Sequence, residues 1–214
     1  MKRIVIMCLV LLGCMMTSSA QEFRLGALVG LNYDMPEATT GKIGAQIGVK
    51  GELGLPSLSE KWYVDMAALL SLQRWKDVYT LNPKLKEETR DFAPVYLKVP
   101  LHVGYRFHVG TKTSLFVSVG PYISFGLFGN ATFKRVSASD NSVTKSKFPV
   151  FKERFTNGAK FQENVDWGVG ARVGSDFGEH FQVSFGFDKG LRRFARAVSE
   201  TKHDVFSLSC GYMF

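Results

Sequence analysis

Residues 95–107 read V-Y-L-K-V-P-L-H-V-G-Y-R-F, thirteen consecutive positions of strict alternation. Val95, Leu97, Val99, Leu101, Val103, Tyr105 and Phe107 share one parity, while Tyr96, Lys98, Pro100, His102, Gly104 and Arg106 share the other. Side chains in a strand point alternately to two faces, so this segment has one unbroken apolar face and one bearing two cations, an imidazole and a glycine. A usual strand is only about 5–6 residues long. A chain that repeats so long a pattern is committed to a large sheet.

The alternation does repeat. Strands are predicted at Phe23–Tyr33, Ile43–Leu53, Trp62–Trp75, Val95–Phe107, Leu115–Phe128, Asp166–Phe177, Phe181–Asp188 and Val205–Phe214. A proline removes a ladder donor, so Pro100 and Pro121 are each expected at a bulge. After residue 20 no apolar run approaches the roughly 20 residues of a spanning helix, so any membrane crossing must use strands. At 214 residues without a compositional break, the chain reads as one β domain.

The N-terminus reads differently. Lys2 and Arg3 precede the apolar run Ile4–Gly13, and Ser18 and Ala20 offer a small-residue cleavage site, the pattern of a secretory signal removed after Ala20. The competing reading is a lipoprotein signal at Leu11-Leu12-Gly13-Cys14. Cleavage after Ala20 would leave 21–214 as the barrel domain with Cys210 as its one cysteine, excluding an internal disulfide. Losing Lys2 and Arg3 takes the formal charge from +8 to +6, still basic.

Antiparallel hairpins joining eight such strands imply an all-β, eight-stranded antiparallel up-and-down barrel. The second face decides its orientation. That face is rich in Gly and Ser and carries Arg24, Lys50, Lys98, Arg106 and Arg172 against Glu52, Asp65, Asp166 and Asp188. A water-facing side needs no run of glycines, whereas a narrow eight-stranded interior suits small residues and a nearly balanced ion network. The apolar face is therefore expected to meet lipid, which makes this a transmembrane barrel. Connections after the second, fourth and sixth strands are short and those after the third, fifth and seventh long and charged, matching periplasmic turns and external loops. Trp62, Trp75, Tyr33, Tyr105, Phe107, Phe128, Trp167, Tyr212 and Phe214 fall near predicted strand ends, where aromatic girdles belong.

The segments Y-L-K-V-P-L-H-V-G-Y-R-F at 96–107 and G-P-Y-I-S-F-G-L at 120–127, the G-x-x-x-G at Gly26–Gly30 and the terminal Phe214 together resemble the PorT-like family of small outer-membrane β-barrels. The resemblance implies a Gram-negative outer-membrane location and insertion by the barrel-assembly machinery. It also brings a possible part in protein secretion, the role associated with the family's name-giving member.

No catalytic or metal constellation emerges. His102 lies between two cations without a second ligand at metal spacing, and none of His108, His180 and His203 has a nearby Ser and carboxylate in a recognisable nucleophilic arrangement. No cofactor is expected. The stronger signal is cationic: Lys134, Arg135, Lys145, Lys147, Lys152, Arg154 and Lys160 in one long connection, and Arg192, Arg193 and Arg196 in another. Such side chains pair with phosphate, so lipopolysaccharide phosphates or envelope glycans are the expected partners. Nucleic acid is excluded by location and by the lack of a binding motif. The expected function is thus a non-enzymatic outer-membrane barrel presenting basic loops. Alternatives are a barrel component of a secretion or envelope-assembly machine, a lipid-modifying enzyme and a small porin.

Overall fold

In the computed structural model, which describes residues 23–36, 39–56, 58–79, 85–152, 164–192 and 202–214, the regular elements are all strands. Among the described residues these are β1 (Phe23–Pro36), β2 (Thr40–Gly54), β3 (Trp62–Tyr79), β4 (Leu85–His108), β5 (Thr113–Ser137), β6 (Val143–Pro149), β7 (Val165–Phe177), β8 (Phe181–Gly190) and β9 (His203–Met213). All pairings are antiparallel and between chain neighbours, except that β5 pairs with β7 past β6 and β1 pairs with β9. The β1–β9 and β4–β5 ladders close the sheet, leaving an eight-stranded ring with β6 attached outside it.

The ring is apolar outward. Val29, Ile47, Leu70, Leu101, Val119, Val173 and Leu208 are exposed, while Lys98, His102, Ser124 and Asp188 on the opposite parity are buried. The lumen is filled by side chains, and two rings fit because a glycine faces each of them. Tyr63 lies against Gly104 and Phe116 against Gly174, and the two rings meet edge to face with centroids 6.5 Å apart. A void of about 30 Å³ remains among Lys50, Asp65, His102 and Arg172, room for a water or so rather than a solute.

Several expectations need correction. Pro100 and Pro121 lie in unbroken register, Pro100 opposite Tyr122 and Pro121 opposite Val169, so neither makes a bulge. Losing one donor interrupts the ladder near each proline without displacing the strand. The β4–β5 register shifts instead between Val95 and Tyr96, whose partners are Phe128 and Gly126. Leu127 is the extra residue, and one extra residue turns every later side chain to the other face. Gly129 follows at a φ of 156°.

Residues 76–79 and 85–93 of the predicted charged connection, and the first part of the 129–165 connection, are also strand. At about 3.4 Å per residue, β4 and β5, with 24 and 25 residues, reach roughly 80 Å, whereas about 9–11 residues suffice to cross a membrane. Their far halves therefore stand clear of the apolar band and, with β6, build a projecting sheet. After the bulge Ala131 and Phe133 face inward and join Val150, Phe92, Phe148 and Phe151 in an apolar cluster above the barrel mouth. Phe151 reaches down to Tyr96 of the lumen, ring centroids 5.5 Å apart. Trp75 belongs here too, not to a girdle. β3 continues past it to Tyr79, and its parity turns it inward to stack on Phe92 at 5.3 Å.

Candidate functional site: charged lumen and cationic outer hairpin

The alternation of β1, β2, β4 and β7 delivers opposite charges to the lumen at the short-turn end. Glu52 receives Arg106 at 2.7 Å, Lys50 at 2.9 Å and Arg24 at 3.4 Å. Asp176 takes the second edge of Arg106 at 2.8 Å, and the Gln182 amide donates to both carboxylates. Higher up, Asp188 lies between Lys98 and Arg172, the latter at 2.7 and 2.9 Å. Aromatic faces complete the coordination of the cations, with Arg106 over Tyr63 at 4.7 Å and Lys98 over Tyr122 at 4.6 Å.

Of the nine lumen residues expected from sequence, seven thus fall into these two clusters. Asp65 lies more loosely, 3.7 Å from Lys50 and 3.7 Å from His102. Asp166 departs from expectation, accepting the Tyr122 hydroxyl at 3.1 Å with no described cation in pairing distance. Asp34, Asp176, Gln182 and His203 escaped the sequence reading. Asp34 sat just beyond the predicted end of the first strand, yet it is wholly buried, accepts the Arg74 backbone N–H and lies 3.7 Å from His203. Extending that strand by one residue, in step with Asn32 on the inward face, would have found it. Among the described residues no group of three or more His, Cys, Asp or Glu side chains is placed to hold a metal ion.

Four of the outer basic residues lie on strands, not on a loop. Lys134 and Arg135 lie on β5 and Lys145 and Lys147 on β6, paired Lys134 to Lys145, Arg135 to Thr144 and Thr132 to Lys147. Lys134, Lys145 and Lys147 share the exposed face of the hairpin, opposite the one that buries Ala131 and Phe133. None of the three forms an ion pair with a described residue. Arg135 does, at 3.0 Å from Glu88, which Arg90 also holds at 2.8 Å. Lys152 is exposed, and Arg192 donates to the Val165 carbonyl at 3.0 Å. Arg154, Lys160, Arg193 and Arg196 lie outside the described residues.

Burial works to raise the Glu88 carboxyl, but hydrogen bonds from Arg90 and Arg135 outweigh it and hold the group below the usual glutamate range. A depressed folded value means that the contribution is complete above the unfolded value of about 4.3 and is lost as pH falls through the folded one. Amide exchange of the β4–β5 extension should therefore quicken as pH is lowered below about 4, after correction for intrinsic rates. The Glu88→Gln variant should lack that acid-dependent step, and a step that persisted in it would assign the transition elsewhere.

A closed, apolar-out ring is the architecture of an outer-membrane protein, and the sequence agrees with the topology. The profile of the "Outer membrane protein beta-barrel domain" family matches residues 18–196. The chain belongs to this family. Membership implies the outer membrane as its location. No curated protein sequence matches the chain. Among solved structures, the attachment invasion locus protein Ail of Yersinia pestis is 14% identical, with 90% of this chain and 99% of that chain covered at a TM-score of 0.41. OprG from Pseudomonas aeruginosa is 14% identical, covering 91% and 97% at 0.46, and Neisserial surface protein A 10% identical, covering 92% and 100% at 0.47. Bacterial outer-membrane barrels in general carry short turns on the periplasmic side and longer connections outside. That polarity puts the Lys134–Lys145 hairpin at the cell surface and the Glu52 cluster at the periplasmic end.

Proposed function

We propose that this barrel is a non-enzymatic surface protein whose projecting β5–β6 hairpin engages phosphate or other anionic groups of the envelope, lipopolysaccharide foremost. One observation carries the reading: Lys134 and Lys145 are direct cross-strand partners. Like charges facing each other across a ladder oppose pairing unless an anion lies between them, and Lys147 adds a third cation on the same face. The apolar cluster beneath and the Glu88 pair hold the hairpin, so the cations are presented on a braced strand pair. In this reading the lumen charges lock the strands rather than conduct or catalyse. The closer kinship to PorT-like barrels, the signal cleavage after Ala20 and insertion by the barrel-assembly machinery belong to the same proposal.

The test is binding of the detergent-solubilised barrel to purified lipopolysaccharide. Exposed ion pairs contribute about 0.2–1 kcal/mol each, so replacing Lys134, Lys145 and Lys147 together by Glu should weaken binding about tenfold or more. The wild-type affinity should also fall as salt shortens the screening length. Equal binding by the triple variant would refute the proposal.

A further inference from the structure

The lipid-facing wall is not uniform. Over β5 and β7 the outward residues Val117, Val119, Ala171 and Val173 are small and form a shallow floor. Bulky side chains rise on either side: Trp62 and Tyr105 from β3 and β4, in edge-to-face contact at 5.1 Å, and Phe185 and Phe187 from β8. The trough has a volume of about 530 Å³, within the roughly 300–1,000 Å³ of ordinary ligand sites. Neighbouring strands are about 4.8 Å apart, so a floor two strands wide can seat extended hydrocarbon lengthwise.

One end of the trough lies at the short-turn end, where Trp62 follows Lys61 and where the β4–β5 turn carries Lys112. Both lysines are exposed, and neither forms an ion pair with a described residue. An occupant matching these features has apolar chains and an anionic group at one end. The geometry points to a glycerophospholipid of the periplasmic leaflet, its acyl chains in the trough and its phosphate between Lys61 and Lys112. A second copy of the barrel fits less well, because a two-fold interface through this wall would bring each pair of lysines towards its own copy. In a membrane the trough gains nothing from hydrophobic transfer, so retention rests on close packing and on the phosphate contact.

The proposal is tested by reconstituting the barrel in vesicles of phosphatidylethanolamine with a minor share of phosphatidylglycerol, re-extracting it in mild detergent and counting bound phospholipid by native mass spectrometry. The wild type and Ala68→Phe, an outward change on β3 away from the trough, should retain lipid. The double variant Val119→Phe/Ala171→Phe, which fills the floor, should retain roughly fivefold less while keeping the heat-dependent gel shift of a closed barrel. Lys61→Glu/Lys112→Glu should lose retention to a similar degree. Should the filled variant misfold, Ala171→Phe alone serves the same comparison. Unchanged retention in the floor variants, no retained lipid in the wild type, or a dimer abolished by filling the floor would each overturn the inference.

Discussion

Replacing Asp188 with alanine should destabilise the barrel by about 3–5 kcal/mol, the usual cost of removing one partner from a buried ionic cluster. Asp188 is the common anion of Lys98 and Arg172, and its side chain and that of Lys98 are only 1% and 3% exposed. Without it two cations stay buried among packed side chains, and the void beside Arg172, about 30 Å³, is too small to hydrate them. Against a typical total stability of about 5–15 kcal/mol, such a loss is large. It should appear as a lower urea midpoint in detergent micelles and as a lower temperature for the shift from folded to unfolded band on a gel. The triple variant Lys98→Met/Arg172→Met/Asp188→Leu should recover most of the loss, because an apolar replacement of a buried ionic group is often neutral. A midpoint for Asp188→Ala within experimental error of wild type would mean that the lumen charges are solvated and do not hold the strands together.

The transmembrane half of the fold was legible because period-two alternation is written at every position, and the ring buries or exposes whole parities at once. Lys98 and Asp188 could be assigned to the lumen although they are far apart in sequence, since parity alone puts each of them inside. What parity cannot supply is partnership: Asp166, expected within the ion network, accepts from Tyr122 instead. The projecting sheet was hidden for a further reason. Within the membrane the apolar parity faces out, but above it water is outside and the apolar residues must turn in. The chain makes this inversion on β5 with one extra residue, Leu127, so Ala131 and Phe133 face inward on the parity that faces lipid lower down. A reading that expects apolar-out alternation sees only a charged connection there, and Lys134, Lys145 and Lys147 look like loop residues. Gly129, just beyond Phe128, was the signal available, being a break in the pattern where a bulge could form.

The orientation itself is open to a direct measurement through Val29, the middle outward residue of β1. Its side chain is 57% exposed and lies between Ile47 of β2 and Cys210 of β9, with Leu25 and Tyr33 towards the two ends of the same face. In a bilayer this exposure is contact with hydrocarbon, and an arginine there must drag water or headgroups inward or bend its side chain towards an interface. The penalty depends on depth, about 2–4 kcal/mol at the midplane and about 0–1 near the interfaces. Val29→Arg should therefore be strongly destabilising in phospholipid vesicles and Leu25→Arg only slightly so, both read from equilibrium unfolding. In water the ranking would vanish, since an exposed valine replaced by arginine costs little wherever it lies. Equal and small effects at both positions would thus mean that this face is bathed by solvent, and with it the membrane reading of the whole ring would fall.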